Sequence, residues 1–245
     1  MKILFLDLET SPNMAYVWGL FNQNVSINQM VKSTEVICFG ARWNGEKKVT
    51  FKSVHHDGKE AMLDTLWELV NEADVLVGWN SQSFDSKHIK RELLENGYTP
   101  PSPYKELDLM RVVRSQFKFP SNKLDYVAQK LGVGSKVKHS GFDLWVACMA
   151  GDNKAWAEMK KYQIHDVDLL IDLYDKLLPW IKNHPNRALH DDVLDGCPNC
   201  ASTNMERRGF SYTTVAKYQR YQCKNCGKWT RGGTAVSNVA LRSAV

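Results

Sequence analysis

The sequence predicts an α/β fold with a mixed sheet flanked by helices, followed by a small C-terminal module. Three observations carry this prediction. Strand-like apolar runs come first and then alternate with helical patterns up to residue 181. Asn44-Gly45, a strong hairpin signal, joins two of the runs. Four of the six cysteines lie beyond residue 196, which sets the end of the chain apart.

Each element follows from a local pattern. Short apolar runs bounded by turn residues predict strands over 2–8, 36–43, 48–54 and 75–79. Apolar residues at three- and four-residue spacing predict helices over 58–72, 85–96, 107–117, 123–131, 142–150 and 154–181. The predicted domains are an α/β domain over 1–181, a linker over 182–196, a four-cysteine module over 197–231 and a flexible tail over 232–245.

The composition is that of an ordinary globular protein, with 43% hydrophobic and 24% charged residues among 245. No apolar run approaches the roughly 18 residues of a membrane span. Only four apolar residues separate Lys2 from Asp7, too few for the core of a signal peptide. We therefore expect a cytoplasmic protein with no membrane partner.

The net charge of +5 is unevenly distributed. Residues 197–245 contain eight Lys and Arg against one acid, Glu206. Such a basic module is typical of contact with nucleic acid or another polyanion, and equally of a solvated basic surface.

Two carboxylates end the first predicted strand, in the sequence LFLDLETSPN. Because side chains alternate between the faces of a strand, Asp7 and Glu9 project to one side and Leu8 to the other. Two neighbouring desolvated carboxylates repel each other, and a divalent cation removes that repulsion by taking both as ligands. The alternative is that both lie in water beyond the end of the strand.

Two later segments carry further acids. The predicted strand over 75–79 is followed by Asn80 and by Asp85, at the start of a predicted helix, where the helix dipole also favours an acid. Tyr162 and Asp166 are four residues apart in the last helix and share a face of it.

Together, D-x-E, N-x(3)-F-D and Y-x(3)-D resemble the exonuclease motifs of the DEDD superfamily of 3′–5′ exonucleases, over residues 1–181. The Y-x(3)-D form is similar to the tyrosine subclass and to the proofreading domains of family B DNA polymerases. The histidine subclass would need histidine at the position of Lys161. The resemblance implies a ribonuclease-H-like fold and a stand-alone exonuclease that releases nucleoside 5′-monophosphates.

The resemblance also implies roles for single residues. Asp7, Glu9, Asp85 and Asp166 would hold two Mg²⁺ or Mn²⁺ ions, with Asp7 bridging both. Tyr162 would orient the attacking water, because a phenol with an ordinary pKa near roughly 10 is a poor general base at neutral pH.

Several residues are candidates for contact with the substrate strand. Thr10 and Asn80 match positions that line the terminal-nucleotide pocket in the family, and Phe84 is the aromatic residue of the second motif. Five lysines between residues 118 and 138, including Lys123 and Lys136, could follow phosphates or form a solvated helix face.

The C-terminal cysteines have the spacing C-x2-C-x22-C-x2-C. Paired knuckles of this kind place four thiolates around one structural Zn²⁺, and the module resembles a zinc ribbon. The predicted ligands are Cys197, Cys200, Cys223 and Cys226. Basic residues alternate with aromatic ones around them, which favours single-stranded nucleic acid, although a protein partner is an alternative. The predicted nucleic-acid contacts in this module are Arg207, Arg208, Lys217 and Arg220.

The leading hypothesis is a metal-dependent 3′–5′ exonuclease that acts on single-stranded DNA, with the zinc ribbon aiding binding. Replication or repair proteins are candidate partners. One alternative uses the same site on RNA or at structured junctions as an endonuclease. Another is a non-catalytic binding module, which would have no need of all four carboxylates and Tyr162.

Overall fold

The computed structural model describes residues 1–242. Its contacts divide the chain into two compact units. We call residues 2–173 the sheet unit, and Met1 with the residues from Tyr174 onward the cysteine unit.

The sheet unit is built on a five-stranded mixed sheet, and it also contains a separate two-stranded sheet. The strands of the large sheet are β1 Ile3–Thr10, β4 Val36–Trp43, β5 Thr50–Ser53, β6 Val75–Gly78 and β7 Lys105–Asp108, and those of the small sheet are β2 Met14–Ala15 and β3 Met30–Lys32. The order in the large sheet is β5-β4-β1-β6-β7, and β1 lies at its centre because it pairs with β4 antiparallel and with β6 parallel. The predicted hairpin is present, since β4 and β5 pair antiparallel around Asn44-Gly45.

Six helices accompany this sheet, close to their predicted positions. They are α1 Lys59–Glu72, α2 Asp85–Glu95, α3 Leu109–Gln116, α4 Leu124–Leu131, α5 Phe142–Met149 and α6 Asn153–Leu177. The last is shorter than predicted, because residues 178–180 form a 3₁₀ turn with Pro179 near its start.

One strand was missed from the sequence. Residues 105–108 were predicted as loop and helix start, yet they form β7, which pairs parallel with β6. The four residues KELD show no apolar alternation, and their extended conformation depends on pairing with a distant segment.

The alternation of β1 sets the two sides of the sheet. Leu4, Leu6 and Leu8 are buried in one core cluster with residues of α1 and α2, including Met62 and Ile89. Period-2 alternation therefore directs the odd-numbered side chains of β1 to the opposite side. A second cluster joins β4 to α5 and α6 through Ile37, Cys38, Leu144, Cys148, Trp156, Met159 and Tyr162.

The cysteine unit contains a three-stranded antiparallel sheet in the order β10-β9-β8. Its elements are helix α7 Arg187–His190 and strands β8 Met205–Tyr212, β9 Ala216–Cys223 and β10 Trp229–Asn238. Among the described residues of these strands only Cys223 is buried, so the sheet has almost no apolar core of its own.

Two segments of this unit differ from prediction. Residues 232–238 of the predicted flexible tail belong to β10, where Ala235 and Asn238 pair with β9; residues 243–245 lie outside the described part of the chain. The predicted linker contains α7, and its Arg187 N–H donates to the carbonyl of Pro198 at 2.7 Å. The side chain of Asn199 likewise donates to the carbonyl of Leu178 at 2.6 Å. These hydrogen bonds group residues 174–196 with the four-cysteine module.

In the described part of the chain, every helix is too short or too polar to cross a lipid bilayer.

Candidate active site and zinc site

Asp7 and Glu9 lie within β1, which extends to Thr10, and not beyond its end. Asp7 pairs with Gly40 and Glu9 with Cys38 across the antiparallel ladder. A Cβ atom on Gly40 would lie 3.0 Å from Val167 Cγ2 and 3.1 Å from Gln163 Cγ. The absence of a side chain at position 40 therefore lets α6 approach the sheet at the level of Asp7.

Asp85 is the first residue of α2, and it is bound directly to β1. Its buried Oδ1 accepts a hydrogen bond from the Leu8 N–H at 3.2 Å. The turn before α2 has Asn80 in the left-handed region, with φ of 62°, and the Asn80 N–H donates to Asp108 Oδ1 at 2.9 Å. These contacts place the third carboxylate beside Asp7 and Glu9.

Asp108 also caps α3, accepting from the N–H groups of Met110 at 3.0 Å and Arg111 at 3.3 Å. The acid in the sequence ELDLM is thus an N-cap, which satisfies two of the backbone donors that a helix start leaves unpaired.

Helix α6 contributes Tyr162 and Asp166, both buried, and a third residue that the motifs do not include. Gln163 Nε2 donates to Asp7 Oδ2 at 2.9 Å and so joins α6 to β1. Gln163 lies three residues before Asp166, and that helical spacing is the signal by which the sequence could have identified it.

The side chain of Lys136 lies among the acids of the site and not on a solvated helix face. Its Nζ donates to Asp166 Oδ2 at 2.5 Å and to the Tyr162 hydroxyl at 2.8 Å. The same Nζ lies 5.0 Å from the centre of the Tyr162 ring. Of the lysines between 118 and 138, this one belongs to the carboxylate site.

Burial and repulsion between negative charges raise the pKa values of Asp7, Glu9 and Asp85. The pKa of Asp7 rises from 3.8 to about 7, first because of burial and then because of the charge of Asp166. Burial and the charge of Asp7 raise the pKa values of Glu9 and Asp85 well above their ordinary values. These shifts show that the four acids share one electrostatic environment.

Two other groups respond to the same acids. Burial and Asp166 raise the pKa of Tyr162, so the phenol stays neutral. Burial lowers the pKa of Lys136, but its interactions with Asp166, Asp7 and Glu9 raise it overall, so the amine stays charged.

The carboxylates have the chemistry of a hard-cation site. Asp166 Oδ1 is buried and has no hydrogen-bond donor in the described part of the chain. Oxygen ligands of this kind suit Mg²⁺ or Mn²⁺. Among the described residues, however, only the four cysteines bring three or more ligand atoms within 4.8 Å of one another. The carboxylates are more widely spaced than a closed single-ion cage.

Some of the predicted strand contacts lie together. Asn80, Lys123 and Lys136 line an open groove of about 590 Å³ whose wall also includes Trp79 and Leu124. Lys136 connects this groove to the carboxylates. Thr10 pairs with Val36 at a bulge in β1, and the Phe84 ring is partly exposed and lies 4.6 Å from that of His88. Neither Thr10 nor Phe84 lines the groove.

The four predicted zinc ligands converge. Their sulfur atoms lie within 4.8 Å of one another, and the pairs Cys197–Cys226 and Cys200–Cys223 are 3.6 Å apart. A tetrahedral ion with bonds of about 2.3 Å requires sulfur separations of about 3.8 Å, whereas a disulfide requires about 2.05 Å. The cluster therefore fits one closed tetrahedral metal site and supports a zinc ribbon.

The predicted basic residues of the ribbon lie on β8 and β9. Lys217 Nζ lies 3.9 Å from the centre of the Phe210 ring, and the Arg220 guanidinium 4.9 Å from that of Trp229. The guanidinium of Arg231 lies 3.9 Å from the centre of the Tyr218 ring, although Arg231 was not among the predicted contacts. Arg207 and Arg208 are exposed on β8. The sheet thus presents cations paired with aromatic rings.

Comparison with known proteins identifies a family and a similar solved structure. The family model described as the RNase_H superfamily matches residues 4–178. Among solved structures, the chain is similar to the family B DNA polymerase from the hyperthermophilic archaeon Pyrobaculum calidifontis, with a TM-score of 0.53 and 18% sequence identity. The similarity covers 73% of this chain and 24% of the polymerase chain, so the match spans about a quarter of the polymerase's length. No curated protein matches the sequence significantly.

Proposed function

This chain belongs to the RNase_H superfamily, and from that premise we propose that it is a metal-dependent 3′–5′ exonuclease of single-stranded DNA. The ribonuclease-H-like fold predicted from the motifs is confirmed. The superfamily and the similarity to a DNA polymerase support nuclease activity in general. Beyond nuclease activity in general, we propose the direction of cleavage, the substrate and the products.

One observation carries it. Asp7, Glu9, Asp85 and Asp166 come from three separate elements into one environment, where burial and neighbouring negative charges raise the pKa values of Asp7, Glu9 and Asp85. A purely structural role does not explain four acids at this place, because buried like charges destabilise a fold unless a cation compensates them.

In this proposal the four carboxylates hold two divalent cations. When bound, such ions lower the pKa of a coordinated water and neutralise charge on the departing oxygen of the phosphodiester. The principal ligands would be Asp7 and Asp166, whose buried Oδ1 has no hydrogen-bond partner in the described part of the chain. The ribbon cysteines hold one zinc ion, which is structural because four thiolates leave no open position.

The other side chains position the reactants. The neutral Tyr162 hydroxyl can donate to or accept from a water, which suits it to orienting the attacking water. Gln163 holds Asp7 by its hydrogen bond. Lys136 offers a permanent positive charge between the carboxylates and the groove, where the phosphates of a strand would lie.

The first prediction concerns activity. Incubated with Mg²⁺ or Mn²⁺, the protein is expected to shorten 5′-labelled single-stranded DNA stepwise from its 3′ end. Asp166→Asn is expected to lower the rate by at least about 100-fold, because it removes a charged ligand. Asp168→Asn is the matched control, since Asp168 lies on the same helix but pairs with Arg42 at 2.6 Å.

Other outcomes identify the alternatives. A ladder on RNA alone would make the protein a ribonuclease, and internal cuts at a branched duplex would make it a structure-specific endonuclease. Binding without cleavage of any of these substrates would contradict enzymatic function.

A second prediction concerns pH. Because the pKa of Asp7 is raised to about 7, the site holds protons below that pH that cations must displace. At subsaturating Mg²⁺ the rate is expected to rise with pH through this range. A tenfold increase in Mg²⁺ is expected to move the midpoint to lower pH by up to about one unit. A midpoint that is independent of Mg²⁺ in kcat/KM profiles would contradict competition at the carboxylates.

A third prediction concerns the ribbon. Replacing Arg208, Lys217 and Arg220 by Ala is expected to weaken binding of single-stranded DNA. The slope of the logarithm of the binding constant against the logarithm of the salt concentration is expected to become shallower by about two, since each phosphate contact contributes about 0.7 to it. The control variant replaces three exposed lysines of the sheet unit, Lys47, Lys48 and Lys154, by Ala and so removes the same amount of charge. Equal losses in both variants, measured by fluorescence anisotropy, would show a general charge effect and no specific role of the ribbon.

A further inference from the structure

The connection from β1 to β4 exposes an unusual amount of apolar surface. We call residues 14–31 the apolar segment. Five of its large side chains are between 78% and 99% exposed: Tyr16, Trp18, Leu20, Phe21 and Ile27. Large apolar residues exposed singly are ordinary, but a concentration of this kind marks an interaction site.

The backbone of this segment is held in place at both ends. Met14 pairs with Lys32 and Ala15 with Met30 in the two-stranded sheet. The Tyr16 N–H donates to the carbonyl of Gln29, and the side chain of Gln29 donates to the carbonyl of Tyr16, both at 2.9 Å. Strand pairing and hydrogen bonds among these six residues thus hold the segment that presents the aromatic side chains.

The chemistry of the segment indicates what it binds. Residues 11–31 contain no Lys, Arg, Asp, Glu or His, in a chain of which 24% is charged. A surface that follows phosphates needs cations, and Leu20 and Ile27 have no ring on which a base could stack. Uncharged cores rich in Trp, Tyr and Phe are typical of protein–protein interfaces.

The exposed area agrees with this interpretation. Aromatic side chains bury about 150–250 Å² each, so the three aromatic residues together with Leu20 and Ile27 offer on the order of 800 Å². That is about what each partner contributes to a stable interface of standard size. Two copies of a segment without charges neither repel each other nor desolvate an ion on contact.

We propose that the apolar segment of one chain packs against the same segment of a second copy, forming a two-fold symmetric dimer. The same patch then serves both partners, as in most homodimers. Trp18, Leu20 and Phe21 are three of its most exposed side chains, so their loss removes the interface and leaves the fold of each chain intact. The proposal is independent of the nuclease activity.

Multi-angle light scattering and sedimentation equilibrium of the full chain test the dimer. The wild type is expected at about twice the 28.0 kDa chain mass. The triple variant Trp18→Ser, Leu20→Ser, Phe21→Ser is expected at the single-chain mass, with the affinity of the dimer weakened by at least about 100-fold. Circular dichroism should be unchanged, since these side chains are 99%, 89% and 83% exposed.

The matched control replaces three exposed leucines outside the segment, Leu94, Leu189 and Leu194, by Ser, and is expected to remain dimeric. A wild type that stays at the single-chain mass up to about 100 μM would overturn the proposal. So would a triple variant that remains dimeric, or a wild-type mass that rises without limit with concentration. If the wild type is monomeric and the triple variant loses affinity for oligo(dT), the segment contacts nucleic acid instead.

Discussion

Replacing Asp7 by Asn is expected to abolish strand cleavage and, in the absence of divalent cations, to make the sheet unit more stable. Asp7 interacts electrostatically with each of the other three acids, and its charge is raised in energy by burial and by Asp166. The cost to activity is expected to be at least about 1,000-fold, because a neutral amide would be a much poorer ligand than a carboxylate for the proposed metal ions.

The gain in stability follows from the pKa. The carboxyl of Asp7 titrates at about 7 in the folded protein, against 3.8 for an ordinary aspartate. A group with a raised folded pKa binds its proton more tightly in the folded state, so stability falls as pH rises from about 4 to 7 and the loss is complete above 7. The shift of about three units corresponds to an order-of-magnitude cost of about 4 kcal/mol at pH 8, which Asp7→Asn removes.

Thermal unfolding in zinc-containing, Mg²⁺-free buffer measures this effect. At pH 8 the melting temperature of Asp7→Asn is expected to be roughly 8–16 °C above that of the wild type, and near pH 4 the difference should vanish. Added Mg²⁺ is expected to stabilise only the wild type. Asp168→Asn again serves as control, because Asp168 is 44% exposed and its partner is Arg42. A variant that still cleaves DNA, or a gain equal at both pH values, would contradict the assignment of Asp7.

Replacing Cys223 by Ser is expected to release the zinc and unfold the three-stranded sheet of the cysteine unit. Cys223 is the one buried residue among the described residues of β8, β9 and β10. Burial raises the pKa of the neighbouring Cys200 thiol to about 11, so a cation is needed to hold these sulfurs together as thiolates. A small module without an apolar core depends on its metal for its folding free energy, about 10–16 kcal/mol in zinc-binding peptides.

Zinc content and limited proteolysis measure the result. The wild type is expected to hold one zinc per chain, and Cys223→Ser close to none, with new cleavage sites between residues 197 and 238. The sheet unit should remain folded and should still cleave short oligonucleotides, with weaker binding. Cys148→Ala is the control, since Cys148 is buried in the sheet unit far in sequence from the cluster. Zinc retained in Cys223→Ser at one per chain would mean that this thiol is not a ligand.

The acids and Tyr162 could be named from the sequence because they resemble the motifs of a known family. Local periodicity agrees with that resemblance, since Asp7 and Glu9 share a face by strand alternation and Tyr162 and Asp166 by the helical repeat. Lys136 has no such local signal. Lys136 reaches Tyr162 and Asp166 across 26 and 30 residues of chain, and nothing in its neighbourhood distinguishes it from Lys123 or Lys138.

By itself, the sequence determined the α/β order of elements and the four-cysteine cluster, since periodicity and spacing express these directly, and its resemblance to family motifs predicted the four acids. Tertiary structure alone decided that KELD is a strand, that residues 232–238 extend a sheet, and that Trp18 and Phe21 are exposed and not part of the core. The physical reason is the same in each case. Strand pairing, burial and charge pairing between distant segments depend on which surfaces meet in the folded chain. A sequence therefore does not distinguish an apolar residue that is buried in the core from one that is exposed on the surface.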